Sequence, residues 1–288
     1  MYNVMTNKIL LPTDFSNNAW HAIQYALELY KNDNCDFYIL NVFSSAGNIV
    51  DAVLNMEPGS RLFEKAKEKS EKELSKVLDK LIFSNNGNPK HHFKTIATFN
   101  SAIEGIKNVV EQKDIEMIVM GTKGETGSRK GALGSVAINV MEKARNCPVL
   151  VIPKEAKFKL PKEIVFPTGY KTHFKRRELN YLIEIAKKCN ASIKILHILL
   201  ENRLDKKQIE NKKLLEEYFE GIDFSFHTLS HMEIPAAINC FIESRESGMV
   251  AFINKKHVFF GSILAQPLVK EIGYMSKVPI LVMHDLRN

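Results

Sequence analysis

The 288-residue chain lacks the features that mark several large classes of protein. Its four cysteines are widely spaced and form no C-x-x-C pair, which argues against a disulfide framework or a zinc site. No apolar run reaches the ~20 residues that a membrane-spanning helix needs. The first eight residues show no basic segment followed by an apolar one. We therefore expect a cytoplasmic protein with no membrane partner.

Groupings that would mark a nucleic-acid partner, a metal or catalysis are also missing. The net charge of +7 would suit an anionic partner, but basic and acidic residues are interleaved, as in residues 64–73. No basic stripe with interleaved aromatics occurs, so we do not expect nucleic-acid binding. His91-His92 and the pair His227 and His231 have no third ligand at a recognisable spacing. No nucleophile is paired with a base, so we predict no catalytic residues and no metal held by the protein itself.

Glycine, by contrast, is concentrated in one segment, residues 121–135, which reads GTKGETGSRKGALGS. An apolar run precedes this segment and a helix-like run, residues 136–144, follows it. Glycine lets a backbone approach a ligand closely, and a helix start attracts anions. We expect Ser135 to add a hydroxyl at the cap position. The spacing matches neither a Walker A loop nor G-x-G-x-x-G, so a flexible surface loop is an equal alternative at this point.

The sequence contains an internal repeat, in which one unit occurs twice. Residues 8–15 return as 163–170, 37–43 as 193–199, 102–106 as 236–240, 117–120 as 249–252, and 147–152 as 278–283. Short β-branched runs alternate with helical periodicity, which predicts βαβ units and an α/β fold of two tandem open parallel sheets. The charged segment between Pro153 and Pro161 is interpreted as a linker. We place the domains at residues 1–154 and 155–288, and we predict a helix over residues 63–81.

Three predicted strand ends in the first half carry residues suited to a ligand site. Asp14 follows the first strand, Val42 follows the second, and Gly121 follows the fourth. In open α/β sheets, ligands bind beyond the carboxyl ends of the strands at the topological switch point. We therefore expect these residues to line one crevice. Ser16 is expected to cap the helix after Asp14.

Together, Pro12-Thr13-Asp14, Leu40-Asn41-Val42 and the G-x2-G-x9-G-S pattern of residues 121–135 resemble the universal stress protein family. The whole chain is similar to its tandem-domain members. The resemblance implies a fold like that of the adenine nucleotide alpha hydrolases, which is Rossmann-like, with two domains related by a pseudo-two-fold axis. It also implies an ATP-binding type of first domain. The expected ligand is ATP, or ADP or AMP, with Mg²⁺ held through the nucleotide phosphates.

The same resemblance implies a set of nucleotide contacts, which it places on the first half only. Asp14 would lie near the nucleoside, and the backbone of Val42 would read the adenine edge. Met120 would make a backbone or packing contact at the start of the loop, and the loop residues from Gly121 to Val136 in the set below would contact phosphate and ribose. The full set is Pro12, Thr13, Asp14, Val42, Met120, Gly121, Lys123, Gly124, Gly134, Ser135 and Val136. Lys123 is left open between a phosphate contact and a solvated loop residue. Arg129 and Lys130 are interpreted as solvated.

The sequence departs from the family pattern at several positions. Asn100-Ser101-Ala102 stands where members commonly carry Gly-x-Pro, which could alter the crevice floor. In the second half, Gly169 replaces Asp14, residues 253–257 replace the first part of the glycine segment, and Ala265-Gln266 replaces Gly134-Ser135. Side chains there would fill the space that glycine leaves for phosphate. We predict one nucleotide site per chain and a structural or regulatory second half.

The resulting hypothesis is a stress-response sensor or binding module that binds an adenine nucleotide and is not an efficient enzyme. Two alternatives stay open: a slow ATPase or phosphotransferase, and a structural or interaction protein with a vestigial glycine loop. The resemblance further implies that the two halves form an intramolecular pseudo-dimer through their last strands, residues 148–152 and 279–283. Whether whole chains also form a homodimer is left open.

Overall fold

The computed structural model describes residues 6–43, 58–84, 87–122, 134–144, 147–199, 203–254 and 277–284. The strands are β1 (Asn7–Pro12), β2 (Cys35–Phe43), β3 (His91–Phe99), β4 (Met117–Gly121), β5 (Val149–Ile152), β6 (Glu163–Pro167), β7 (Ser192–Leu199), β8 (Phe224–Ser230), β9 (Met249–Asn254) and β10 (Ile280–His284). The helices are α1 (Asn17–Leu29), α2 (Arg61–Ser84), α3 (Ala102–Lys113), α4 (Ser135–Lys143), α5 (Arg176–Cys189), α6 (Lys206–Tyr218) and α7 (Ile234–Arg245). This alternation confirms the α/β fold class, and α2 contains the helix predicted over residues 63–81. Within these ranges no helix combines the length and the apolar character needed to cross a bilayer.

All ten strands belong to one sheet, with the order β3-β2-β1-β4-β5-β10-β9-β6-β7-β8. Neighbouring strands are parallel within each half. The exception is the central pair, in which β5 and β10 run antiparallel with Leu150 opposite Leu281. The second half therefore repeats the order of the first in reverse, as a pseudo-two-fold axis through this pair requires. The predicted contact between the two halves through their last strands is confirmed. The domain boundary between residues 154 and 155 stays a prediction, because one continuous sheet spans both halves.

Side chains from both faces of the sheet are buried, which explains why the strands read as continuous apolar runs. Along β1, Ile9 and Leu11 join one hydrophobic cluster, whereas Leu10 joins the other. Helices α1, α2, α5 and α6 cover the first face, and α3, α4 and α7 cover the second. In the first half, the chain therefore changes face between the pair β1–β2 and the strand β4. That change leaves a crevice at the carboxyl ends of the strands, which is the usual ligand position in such sheets.

The structures of α3 and α7 show that one part of the repeat alignment predicted from the sequence is wrong. Both helices end at a residue in the left-handed conformation, Asp114 with φ 52° and Glu246 with φ 53°. Their buried positions coincide when Ala102 is aligned with Ile234. The sequence alignment of residues 102–106 with 236–240 was therefore wrong by two positions. Short Ala-Ile identities misled it, whereas the spacing of core-facing residues sets the true register.

One hydrogen bond recurs at the same place in both halves, between different side chains. Asn41 Nδ2 donates to Thr13 O at 2.7 Å, and at the matching position His197 Nδ1 lies 2.9 Å from Thr168 O. Because a carbonyl only accepts, the Nδ1 of His197 carries the proton. His197 is buried and stacks on Tyr170 with 4.8 Å between ring centroids. Burial is the largest effect on its pKa and lowers it, the bond to Thr168 O opposes this, and Lys171 and Lys212 lower it further.

His197 should make the protein less stable as the pH falls below about 6.5, the pKa of an unperturbed histidine. The unfolded chain takes up a proton there while the folded chain resists it, so the contribution is complete above that pH and is lost on acidification. His197→Asn keeps an amide donor for Thr168 O, as Asn41 provides in the first half. Urea unfolding at pH 7.5 and 5.5 should show a smaller loss for His197→Asn than for wild type.

The exposed His231, whose φ of 59° suits asparagine, supplies the control variant His231→Asn. This variant should keep the wild-type pH dependence. An equal loss of stability in His197→Asn and wild type would show that His197 contributes nothing to acid sensitivity.

Candidate functional site

The backbone of Val42 points into the crevice, because β2 is longer than β1. The pairing of β1 with β2 ends at Pro12 opposite Leu40, and Thr13 N then donates to Leu40 O at 2.8 Å. Residues two apart on a strand present their backbone groups to the same side. The N–H and C=O of Val42 therefore face the β1 side, beyond the end of that strand. They form the backbone edge that the resemblance assigns to adenine.

The side chain of Val42 depends on a glycine that the sequence reasoning missed. A Cβ added to Gly105 would lie 2.8 Å from Val42 Cγ2 and 3.3 Å from Thr98 Cγ2. Only glycine lets α3 approach β2 this closely without displacing Val42. The available signal was a glycine within an amphipathic helix, which usually has a packing reason.

The turn after β1 holds Asp14 at the crevice. Thr13 Oγ1 accepts from Phe15 N at 3.0 Å, and Asp14 Oδ1 accepts from Ser16 N at 3.1 Å. Phe15 has a φ of 67°, so the chain turns sharply between strand and helix. Ser16 Oγ then accepts from Ala19 N at 3.2 Å, which confirms it as the cap of α1. Asp14 stays half-buried, with Pro12 before it as the last residue of β1.

A buried polar relay fixes this turn from the neighbouring strand and from α2. Ser70 Oγ donates to Asn41 Oδ1 at 2.7 Å, and Asn41 Nδ2 donates to Thr13 O at 2.7 Å. Ser70, Asn41 and Thr13 are all buried, so each bond is shielded from competing water. The sequence reasoning assigned no role to Asn41 or Ser70. The one signal was a single amide among the apolar residues of β2.

The close packing of α1 explains why residue 121 is a glycine, without reference to any ligand. A Cβ added there would lie 2.5 Å from Asn18 Nδ2 and 3.0 Å from the Asn18 backbone oxygen. Asn18 Nδ2 also donates to Thr122 Oγ1 at 3.4 Å, so the first turn of α1 packs directly on the end of β4. Met120 is buried in the cluster on the opposite face. At the crevice, Met120 can therefore act only through its backbone.

The start of α4 is tied to the end of β4. Gly134 N donates to Thr122 O at 2.6 Å, and Gly134 is the N-cap of the helix, with φ −66°. The expectation that Ser135 occupies the cap position was wrong by one residue, because Ser135 is the first helical residue. Gly134 contributes no capping side chain, and the first N–H groups of a helix have no partner within it. Ser135 and Val136 are exposed at this end, which is suited to an anion.

Several predicted site residues lie outside the described residues. They are Lys123 and Gly124 of the nucleotide set, Arg129 and Lys130 of the same segment, and Ala265 and Gln266 of the second half. Their roles stay predictions. The described residues bring together the Thr13–Asp14 turn, Val42, Gly121 and the start of α4, because β1 lies between β2 and β4 in the sheet.

The matching turn of the second half is covered by α6. Gln208 Nε2 donates to Gly169 O at 2.8 Å, and Asn211 Nδ2 donates to Tyr170 O at 2.7 Å. Tyr170 is only 2% exposed and stacks on His197. The counterpart of Asp14 is thus a glycine whose carbonyl is already bonded. Among the described residues, the first half leaves Asp14 half-buried, so the two turns differ in how they are covered as well as in their residues.

Gly121→Ala should destabilise the protein by about 1–3 kcal/mol, since overpacking a well-packed site costs this much. The backbone oxygen of Asn18 cannot move aside as a flexible side chain would. Urea denaturation should show the loss without any ligand present.

The double variant Asn18→Ala with Gly121→Ala should recover part of this loss, because it removes the side-chain clash. A Gly121→Ala protein as stable as wild type would contradict the close packing of α1 on β4.

Comparisons with known proteins identify the family and the fold. The model of the Universal stress protein family matches residues 5–153. Universal stress protein MJ0577 of Methanocaldococcus jannaschii is 28% identical over 160 residues, which are 53% of this chain and 98% of that protein. A universal stress protein structure from Archaeoglobus fulgidus covers 96% of this chain and 95% of its own, with 20% identity and a TM-score of 0.69. That likeness shows the same fold along both halves.

A further universal stress protein of Archaeoglobus fulgidus was solved in complex with dAMP. It covers 43% of this chain and 98% of its own at 17% identity, with a TM-score of 0.32. Its ligand is a property of that protein, and the likeness is too distant to position a ligand here.

Proposed function

Because this chain belongs to the universal stress protein family, we propose that its first half binds ATP or a related adenine nucleotide. The site is the crevice at the carboxyl ends of β1, β2 and β4 and the start of α4. The protein acts there as a nucleotide-responsive binding module of the stress response. The second half carries no nucleotide in this proposal.

One observation carries the proposal: two ligand-facing groups of different chemistry flank the Thr13–Asp14 turn. The Val42 backbone offers a donor and an acceptor to the edge of a planar base. The start of α4, capped by Gly134, offers N–H groups and a positive dipole end to phosphate. The strands β2 and β4 flank β1 at about 4.8 Å each, so the two groups lie on the order of 10 Å apart. A nucleoside phosphate can bridge such a distance.

The described crevice fits binding better than turnover. Efficient phosphoryl transfer needs metal ligands, a positioned nucleophile and a charge clamp together. The crevice supplies a base edge, a helix start and the carboxylate of Asp14, which could stand near a Mg²⁺ ion carried by the phosphates. We therefore assign a sensing role and place slow hydrolysis second.

Isothermal titration calorimetry with ATP and Mg²⁺ tests the proposal on wild type and on Gly134→Glu. The φ of −66° at Gly134 is allowed for any residue, so the fold should survive while a carboxylate enters the phosphate position. We expect about one ATP per chain in wild type. Affinity should fall at least tenfold in the variant, a loss of about 1.4 kcal/mol or more.

The matched control is Thr228→Glu, which adds the same charge at an exposed position of β8. This control should bind ATP as wild type does. Two ATP per chain would show that the second half also binds nucleotide. No binding by folded, nucleotide-free wild type would favour an interaction protein with a vestigial loop.

A further inference from the structure

The helix α4 is held at both ends by residues that are counterparts in the repeat. At its start, Gly134 N donates to Thr122 O at 2.6 Å. Near its end, Asn254 Nδ2 donates to Met141 O at 3.2 Å. Alignment of β4 with β9 at Met117 and Met249 makes Thr122 and Asn254 equivalent positions. One helix of the first half is thus bonded by the same repeat position of both halves.

The antiparallel pairing of β5 with β10 makes this contact possible. It reverses the second half, so that the carboxyl end of β9 lies beside the amino ends of the first half's strands. The helix α4 starts at the carboxyl edge of β4 and returns across the sheet to begin β5. Its last turn therefore arrives where β9 ends, at Asn254.

A bond at this end matters because α4 is short. A helix of nine residues is marginal alone and depends on tertiary contacts for its position. Its buried residues are Ala137, Ile138, Val140 and Met141, all on the face toward the sheet. These contacts anchor the helix against the sheet, whereas the bond from Asn254 restrains it along its axis. Met141 O belongs to the last turn, whose carbonyls lack donors within a helix.

We propose that Asn254 is a positioning residue for the nucleotide site of the first half. By holding the last turn of α4, it fixes the direction of the N–H groups that the first turn presents to phosphate. The second half, which has lost the Asp14 equivalent, thereby acts on the site of the first. This inference rests on the proposed function.

The test distinguishes an effect on phosphate binding from an effect on binding of the base and sugar. Calorimetry with ATP and with adenosine is carried out on wild type, Asn254→Ala and Asn254→Asp. Aspartate keeps the shape of asparagine but cannot donate to Met141 O. Both variants should weaken ATP binding about fivefold, as expected for one lost hydrogen bond, and should change adenosine binding less than twofold.

Asn190→Ala is the matched control. Asn190 ends α5 in the left-handed conformation, with φ 48°, so alanine is strained there and the second half is destabilised without loss of a bond to α4. This control should leave the affinities for ATP and adenosine unchanged. Unchanged ATP affinity in the Asn254 variants, or an equal loss for adenosine, would overturn the inference.

Hydrogen exchange of the α4 amides in the nucleotide-free protein gives a second reading that needs no ligand. Residues 135–143 should exchange faster in Asn254→Ala than in Asn190→Ala. If wild type binds no ATP, the proposed function fails, and this exchange still decides whether Asn254 holds α4. Equal exchange in the two variants would refute the positioning role.

Discussion

Three residue pairs join β5 to β10, and this short antiparallel ladder converts two open sheets into one. An open sheet exposes unpaired backbone groups at its edge, which invites association with other chains. Here the inner edge of each half is satisfied by the other half of the same molecule. The pairing also sets the orientation of everything else, because antiparallel neighbours within one sheet can be related only by a two-fold axis perpendicular to it. The two sets of strand ends therefore open in opposite directions.

Within that symmetry the two halves have diverged at their strand ends. The first half supports its turn with an amide and a serine, Asn41 and Ser70, and leaves Asp14 half-buried. The second half uses His197 for the same bond and covers its turn with Gln208 and Asn211 of α6. The backbone hydrogen bond from Thr13 to Leu40 has a counterpart of equal length from Thr168 to Leu196, both 2.8 Å. The repeat thus preserves the backbone geometry of the strand ends while changing what they offer to a ligand.

The sequence predicted the features that follow from local pattern. Alternating apolar runs and helical periodicity predicted the strands, and the local residue types predicted the Ser16 cap, because each depends on neighbours in the chain. The joining strands were predicted from the family resemblance. It could not predict packing between distant segments. Gly121 was interpreted as a phosphate contact, whereas the structure also shows α1 packed against it through Asn18. Gly105, Asn41 and Ser70 were missed for the same reason. Gly105 contacts Val42, 63 residues earlier in the chain, and Asn41 bonds to Thr13 and Ser70, which are 28 and 29 residues away. These partners meet only in the folded protein.

If only the first half binds nucleotide, as proposed, the geometry of the two-fold axis gives a physical reason for retaining the second half. In a pair of identical domains, each carboxyl edge would lie beside the last turn of the other domain's α4 equivalent. Losing the ligand residues of one half removes a binding site but leaves its strand ends in contact with the helix of the other. Asn254, directly at such a strand end, shows that the contact persists here. On the proposed function, selection for one well-positioned nucleotide site would therefore preserve the fold of both halves.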